Sequence, residues 1–269
     1  MGHQRLGKLP ASKAWRQIIA YIVSGADAVS ELADRVFDAS EKSLGKASKD
    51  PAFQEALNLL CKIPMAARAS DLKAALADLG IDIPDNPSRT DIIAGFERAI
   101  EKAQRSGSRD ITDLSEMAKH AGISALNSLL AKPAPPPQLE LWGTPKEGTH
   151  LVLAQCADPE GFADLAQTFF ASLGENNIRY YTDRELPKHL GAGGFAQSIP
   201  DMIIFDQNNA RHNREASMIM RVFARDWYAK VNYQNKKALT SKDVNKFAHV
   251  AIEKMRKEYR IRDGKNASV

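Results

Sequence analysis

Apolar side chains recur along most of this chain at intervals of three and four residues, which is the spacing of one face of a helix. The pattern predicts helices over residues 13–23, 27–44, 51–61, 71–79, 89–104, 110–130, 159–186 and 208–230, and a last helix from Ser241. The short apolar run 151–156 fits either a helix or a strand. Because no segment shows a sustained alternation of apolar and polar residues, the sequence predicts an all-α fold.

Capping and helix-breaking residues mark the ends of these helices. Asp158 followed by Pro159 is a typical helix start, and Thr240 stands in the position of a cap before the last helix. Pro64 predicts an interruption after the third helix, because proline lacks the N–H donor that a helix interior uses.

A proline-rich segment divides the helical pattern into two parts. Four prolines lie between Lys132 and Pro137, and such a sequence forms an extended, semi-rigid spacer. The sequence therefore predicts two helical subdomains joined by a Pro-rich linker. They are an N-terminal helical domain with a basic arm (1–131), the linker (132–148), a basic C-terminal helical domain (149–262) and a disordered tail (263–269). The alternative is a long surface loop within one domain.

Positive charge is concentrated toward the end of the chain. Residues 211–269 contain fifteen Lys and Arg against six Asp and Glu, a surplus of +9, although the whole chain carries +4. Such a region either binds the phosphates of a nucleic acid through counterion release or is a solvated surface. The candidate anion or nucleic-acid contacts are Arg184, Lys188, His189, Arg211, Arg214, Arg225 and Lys230.

Aromatic residues lie among the arginines of this region, and such a mixture can stack nucleobases beside a basic groove. Phe223 and Trp227 are four residues apart on the apolar side of a predicted helix, which favours a position in the core. Tyr228 and Tyr233 are the members expected at the surface.

No sequence motif points to a particular reaction. The glycine-containing segment 190–194 matches neither a P-loop nor a dinucleotide-binding fingerprint, and His212 with Glu215 lacks the further ligands of a zinc site. The sequence therefore predicts a non-enzymatic protein with no metal and no cofactor. A dispersed acid–base cluster around Arg184, Glu185 and His189 is the less favoured alternative.

The two cysteines and the absence of long apolar segments predict where the protein works. Cys61 and Cys156 are far apart in sequence, which favours buried thiols in a reducing compartment over a disulfide framework. No run of eighteen apolar residues and no secretory signal pattern is visible. We therefore expect a cytoplasmic protein without a membrane partner.

Four segments carry a resemblance to a known group of proteins: residues 1–10 (MGHQRLGKLP), 162–170 (FADLAQTFF), 184–191 (RELPKHLG) and 223–228 (FARDWY). They resemble a family of bacterial all-helical accessory proteins of anti-phage defence islands, such as the B component of Qat-type systems. The resemblance implies a non-enzymatic adaptor that works with proteins encoded in the same operon, among them a QueC-like enzyme. Because that component also opens with Met-Gly, the resemblance implies that Gly2 is a site of N-terminal modification.

Two functions from different classes follow. The favoured one is an accessory or adaptor component of a bacterial multi-protein defence system, acting through protein–protein interaction. The alternative is a nucleic-acid-binding protein that uses its basic C-terminal half.

Overall fold

The computed structural model describes residues 49–107, 112–133, 148–185, 191, 198–234 and 239–262, together with seven helical residues between Arg16 and Val36. Within these residues the chain forms helices joined by turns and loops and contains no strand, which confirms the predicted all-α class. The helices are α1 (Pro51–Ala66), α2 (Leu72–Ala77), α3 (Arg89–Gly107), α4 (Asp113–Leu130), α5 (Gly148–Gln155), α6 (Pro159–Glu185), α7 (Ile199–Ala216), α8 (Met218–Gln234) and α9 (Ser241–Arg262).

Most predicted helices are present, with ends displaced by a few residues. The helix predicted to continue past Gly174 does so, since α6 extends to Glu185. The apolar run that fitted either a helix or a strand is helical as far as Gln155, in α5. The predicted helices 13–23 and 27–44 and the predicted tail 263–269 lie largely or wholly outside the described residues.

Two predicted helix starts are confirmed by their capping hydrogen bonds. The carboxylate of Asp158 accepts the backbone N–H of Gly161 at 2.6 Å, which satisfies one orphan donor of α6. Before α9, the hydroxyl of Thr240 accepts the N–H of Asp243 at 3.3 Å, and the Asp243 carboxylate accepts the N–H of Thr240 at 3.2 Å. These reciprocal bonds form a capping box.

The interruption predicted at Pro64 is wrong, because this proline lies inside α1. The helix ends only two residues later, at Ala66, so the missing N–H removes a single bond close to the helix end. Both Ile63 and Pro64 are buried, and this burial offsets the lost hydrogen bond.

The single helix predicted over residues 208–230 is also wrong, because two helices occupy this region. α7 begins nine residues earlier, at Ile199, where Ser198 and Asp201 form a capping box. It ends at Ala216 and is followed by the capping residue Ser217, whose hydroxyl donates to the carbonyl of Arg214 at 2.8 Å. Neither glycine nor proline marks this break, and the first half of α7 exposes isoleucines, so the apolar pattern indicated neither boundary.

α6 is the central helix of the described fold. It packs most extensively against α4 and α8, and it also contacts α7 and α1. One continuous apolar cluster contains residues from both sides of the Pro-rich segment, and the rings of Phe53 and Phe169 meet edge to face at 5.7 Å. The predicted division into two subdomains is therefore not confirmed, and most of the predicted linker, residues 134–147, lies outside the described residues.

Aromatic rings from α6, α8 and α9 fill the centre of the second half of the core. Phe223 and Trp227 are half-buried and pack against this core, in agreement with their predicted inward position. The surface position predicted for Tyr228 is wrong, because its ring is buried and stacks on Phe162 at 4.8 Å. Burial raises the pKa of the Tyr228 hydroxyl to about 12. The side chain of Tyr233 lies outside the described residues.

Candidate binding surfaces

The structure describes only part of the predicted set of anion contacts. Gly2, Lys188 and His189 lie outside the described residues, as does the side chain of Arg184 at the end of α6. The alternative acid–base cluster around Arg184, Glu185 and His189 therefore also lies outside the described side chains. The remaining four candidates are exposed on α7 and α8: Arg211, Arg214, Arg225 and Lys230.

Arg225 is engaged by carboxylates of its own chain. Its guanidinium lies 3.2 Å from Asp226 and 3.5 Å from Glu160. The hydrogen bond to Asp226 and its charge, followed by the hydrogen bond to Glu160 and its charge, raise the pKa of Arg225. Glu160 also pairs with Arg221 at 3.4 Å, so two cations of α8 share one acidic residue of α6. A polyanion would have to displace these carboxylates, which makes Arg225 a poor phosphate contact.

A polar cleft of about 470 Å³ opens between the end of α4, the middle of α6 and the junction of α7 with α8. Asp164 on α6 is its central anion: Lys132 lies 3.1 Å and Arg221 lies 3.0 Å from the two carboxylate oxygens. Glu175 pairs with Arg179 at 3.3 Å, while burial raises the pKa of its carboxyl. We call this site the Asp164 cleft.

Arg214 is the cation of the Asp164 cleft that remains available. Among the residues that the structure describes, its guanidinium has neither an ion pair nor a hydrogen bond. Its backbone carbonyl accepts a long hydrogen bond from Gln167 Nε2 at 3.5 Å, and the same nitrogen lies 2.9 Å from Met218 Sδ. Gln167 therefore lies beside both sides of the junction between α7 and α8.

Exposed apolar residues also lie on both of the helices that meet at this cleft. Met218 and Val222, one turn apart on α8, are 50% and 49% exposed. On α7, Ile199 and Ile203 are 66% and 53% exposed, and their spacing places them on the helix face that also carries Ala210 and Arg214. We call this surface the α7–α8 face, and it consists of Ile199, Ile203, Ala210, Arg214, Met218 and Val222.

A second surface follows the solvent side of α9. Its exposed residues recur at intervals of three and four, which places them within one face of the helix. We call this surface the α9 lysine face, and it consists of Lys242, Lys246, His249, Val250, Glu253 and Lys257. Within the described part of the chain, none of its three lysines lies within ion-pair distance of a carboxylate.

A further open pocket of about 360 Å³ lies where the start of α4 meets the end of α6. Its lining includes Asp113, Glu116, His120 and Asp183, together with Arg179. Over the described ranges, no group of three or more His, Cys, Asp or Glu side chains is arranged to hold a metal ion.

Neither surface was fully visible in the sequence. The lysines of α9 have the spacing of one helix face, and this signal was available but was not separated from the general basic character of the region. The exposed residues of the α7–α8 face gave no such signal, because isoleucine, methionine and valine at helical spacing predict burial.

No helix in the described part of the chain is long and apolar enough to cross a membrane.

Comparisons with known proteins give no information about these surfaces. No protein-family model, no curated protein and no solved structure matches this chain.

Proposed function

We propose that this protein is a non-enzymatic adaptor that binds a protein partner through the α7–α8 face. The observation that carries the proposal is the set of exposed apolar side chains on α7 and α8, together with Arg214, whose guanidinium has no partner among the residues that the structure describes. Exposed apolar residues that cluster on one face of a protein are typical of interaction sites. Methionine and arginine are enriched in protein interfaces, and arginine is frequent among the residues that dominate binding energy.

The chemistry of the face defines the kind of partner segment that fits. Met218 and Val222 would contact apolar side chains, while the guanidinium of Arg214 would bind a carboxylate through two parallel hydrogen bonds. Lys132 and Arg221 are already held by Asp164 and would form a charged rim. The occupant is therefore a protein segment that carries apolar residues and at least one Asp or Glu.

The resemblance described above supports the identity of the partners. It implies a bacterial anti-phage system in which the adaptor binds proteins encoded in the same operon, including a QueC-like enzyme. A cytoplasmic location belongs to the same proposal, and the two free, buried thiols are compatible with a reducing compartment.

The proposal is tested by co-expressing the tagged chain with each product of its operon and measuring complex formation by size-exclusion chromatography. Replacing both apolar residues of α8, in the double variant Met218→Ser/Val222→Ser, is expected to weaken the complex at least tenfold. Arg214→Gln is expected to weaken it as well. Because these side chains are exposed, the variants should retain the wild-type melting temperature.

Val250→Ser is the matched control, since Val250 is an exposed apolar residue on α9, outside the face. It should leave the complex unchanged. If no operon product binds the wild-type chain, or if the α8 variant binds as tightly as wild type, the adaptor proposal is wrong.

The proposed modification of Gly2 has its own measurement. Intact-mass spectrometry of the chain co-expressed with the QueC-like enzyme should show an added mass that maps to the N-terminal peptide. An unmodified mass would remove this part of the proposal without affecting the adaptor function.

A further inference from the structure

The lysines of the α9 lysine face form no ion pair within the described fold, although Lys242 and Lys246 interact at longer range with Asp243. Lys242, Lys246 and Lys257 are exposed, and no described carboxylate pairs with them. They contrast with Arg221 and Arg225 of α8, which are engaged by acidic residues. The apolar side of the same helix is buried in the core, so the orientation of the lysines is fixed by packing.

We propose that the α9 lysine face binds the phosphate backbone of a nucleic acid. From Lys242 to Lys257 the helix rises about 22 Å, at 1.5 Å per residue, so the three ammonium groups follow a line rather than form a point cluster. A linear polyanion can contact all three at once and gains affinity by releasing its condensed counterions.

The face itself favours a nucleic acid over an anionic membrane. A helix that lies on a membrane must insert a face of Trp, Phe or Leu side chains into the lipid. In α9 the corresponding residues Val244, Phe247, Ala251 and Met255 are buried in the protein core. Only Val250 is both apolar and exposed among the described side chains of this helix. The lysines of α9 can therefore attract anionic lipids, but the helix has no apolar face to insert into the bilayer.

Glu253 is the one acidic residue of the face, and it limits the affinity. It lies between Val250 and Lys257 on the exposed side, where its charge repels phosphate. Replacing it with glutamine is therefore expected to raise the affinity for nucleic acid severalfold at low salt. An unspecific loss of helix stability would not produce such a gain.

The central experiment compares the full chain with the triple variant Lys242→Gln/Lys246→Gln/Lys257→Gln. Binding to a fluorescent 20-nucleotide oligomer is measured by anisotropy between 50 and 200 mM salt. For duplex DNA, the slope of log affinity against log salt should become shallower by about 2.7 in the variant, and for a single strand by about 2.1. For duplex DNA, this means that the three lysines account for about a 40-fold loss of affinity between 50 and 200 mM salt.

A second triple variant, Lys73→Gln/Lys102→Gln/Arg105→Gln, is the control for net charge. Unlike the α9 lysines, Lys73 and Arg105 pair with Asp85 and Glu101. This variant removes the same three positive charges from α2 and α3, so it changes the net charge equally but leaves α9 intact. The proposal predicts an unchanged slope for this control. Equal losses in both variants would show that only net charge matters and would overturn the proposal.

The remaining arms identify the polyanion. Parallel titrations with duplex and single-stranded oligomers show which form binds more tightly. Binding to vesicles that contain phosphatidylserine, without binding to either oligomer, would overturn the nucleic-acid assignment. No oligomer binding at 50 mM salt would also overturn it. The inference does not depend on the adaptor function, because α8 variants that lose a protein partner retain the α9 lysine face.

Discussion

Gly174 of α6 lies so close to the side-chain amide of Asn213 on α7 that a Cβ at position 174 would overlap it. The same Cβ would overlap the hydroxyl of Tyr259 on α9, which donates a hydrogen bond to Asn213 Oδ1. Asn213 Nδ2 in turn donates to the carbonyl of Asn209 at 2.8 Å. This buried polar contact joins three helices at one point and sets how closely α7 and α9 approach the central helix.

Replacing Gly174 with alanine should destabilise the protein, although alanine favours helix more than glycine does. The added methyl group forces α7 and α9 away from α6 and disturbs a buried hydrogen bond, so the free energy of unfolding should fall by about 2–3 kcal/mol. Urea denaturation followed by circular dichroism measures the change.

The double variant Gly174→Ala/Asn213→Ala is the control for this explanation. Removing the amide eliminates one of the two overlaps and releases the Tyr259 hydroxyl from Asn213, so the two substitutions should together cost less than the sum of their separate effects. Simple additivity would contradict the proposed overlap.

Asp50 connects the starts of two helices, and its removal should affect both. Its carboxylate caps α1 by accepting the N–H of Phe53 at 2.9 Å, and it accepts the hydroxyls of Thr112 at 2.8 Å and Ser115 at 2.7 Å, at the start of α4. Asp50→Ala should lower the free energy of unfolding by about 2 kcal/mol, because a cap and two buried hydrogen bonds are lost.

Asp71→Ala offers a matched comparison for that variant. Asp71 also caps a helix, accepting the N–H of Ala74 at 3.0 Å, but it is exposed and caps only the short helix α2. Its removal should cost less than half as much in the same denaturation experiment. Equal losses would mean that the contacts of Asp50 with α4 contribute nothing.

The sequence predicted where the helices lie better than it predicted how they end and pack against one another. Periodicity was sufficient for α6 because its apolar stripe is continuous, and capping residues located the starts of α6 and α9. It failed where tertiary packing decides the outcome. Pro64 is tolerated in α1 because it is buried near the helix end. The break at Ser217 has a local hydrogen bond from the Ser217 hydroxyl to the carbonyl of Arg214, and no glycine or proline marks it in the sequence.

The candidate surfaces show the same limit of sequence-based prediction. Net charge indicated that the C-terminal region is basic, but it did not separate Arg225, which two carboxylates engage, from Arg214, which has no such partner in the described structure. Pairing between α6 and α8 joins Asp164 and Glu160 to arginines 57 to 65 positions away, and no local pattern reveals it. The sequence likewise contained no sign that Met218 and Val222 form an exposed surface, which only the position of α8 shows.

The two thiols should be almost unreactive in the native protein. Both Cys61 and Cys156 are free and buried, and burial raises both pKa values, that of Cys156 to about 11. At pH 8 only about one Cys156 side chain in a thousand would be a thiolate, the form that reacts. Ellman's reagent should therefore label neither thiol rapidly, whereas both should react within minutes in 6 M guanidinium chloride. Fast labelling of one thiol in the native protein would place it at the surface.

The capping box before α9 should make the stability of this helix depend on pH. Hydrogen bonds from the hydroxyl and the N–H of Thr240 hold the pKa of Asp243 below its usual value. A lowered folded-state pKa means that the carboxylate stabilises the fold above its unfolded-state pKa, near 4, and that this contribution is lost as the pH falls through the folded-state value. Asp243→Asn should therefore unfold at lower urea than wild type at pH 7, and the difference should shrink as the pH falls below about 4. Asp226→Asn, which removes an exposed carboxylate outside any cap, is the control, and a pH-independent difference for Asp243→Asn would show that shape rather than charge matters at this position.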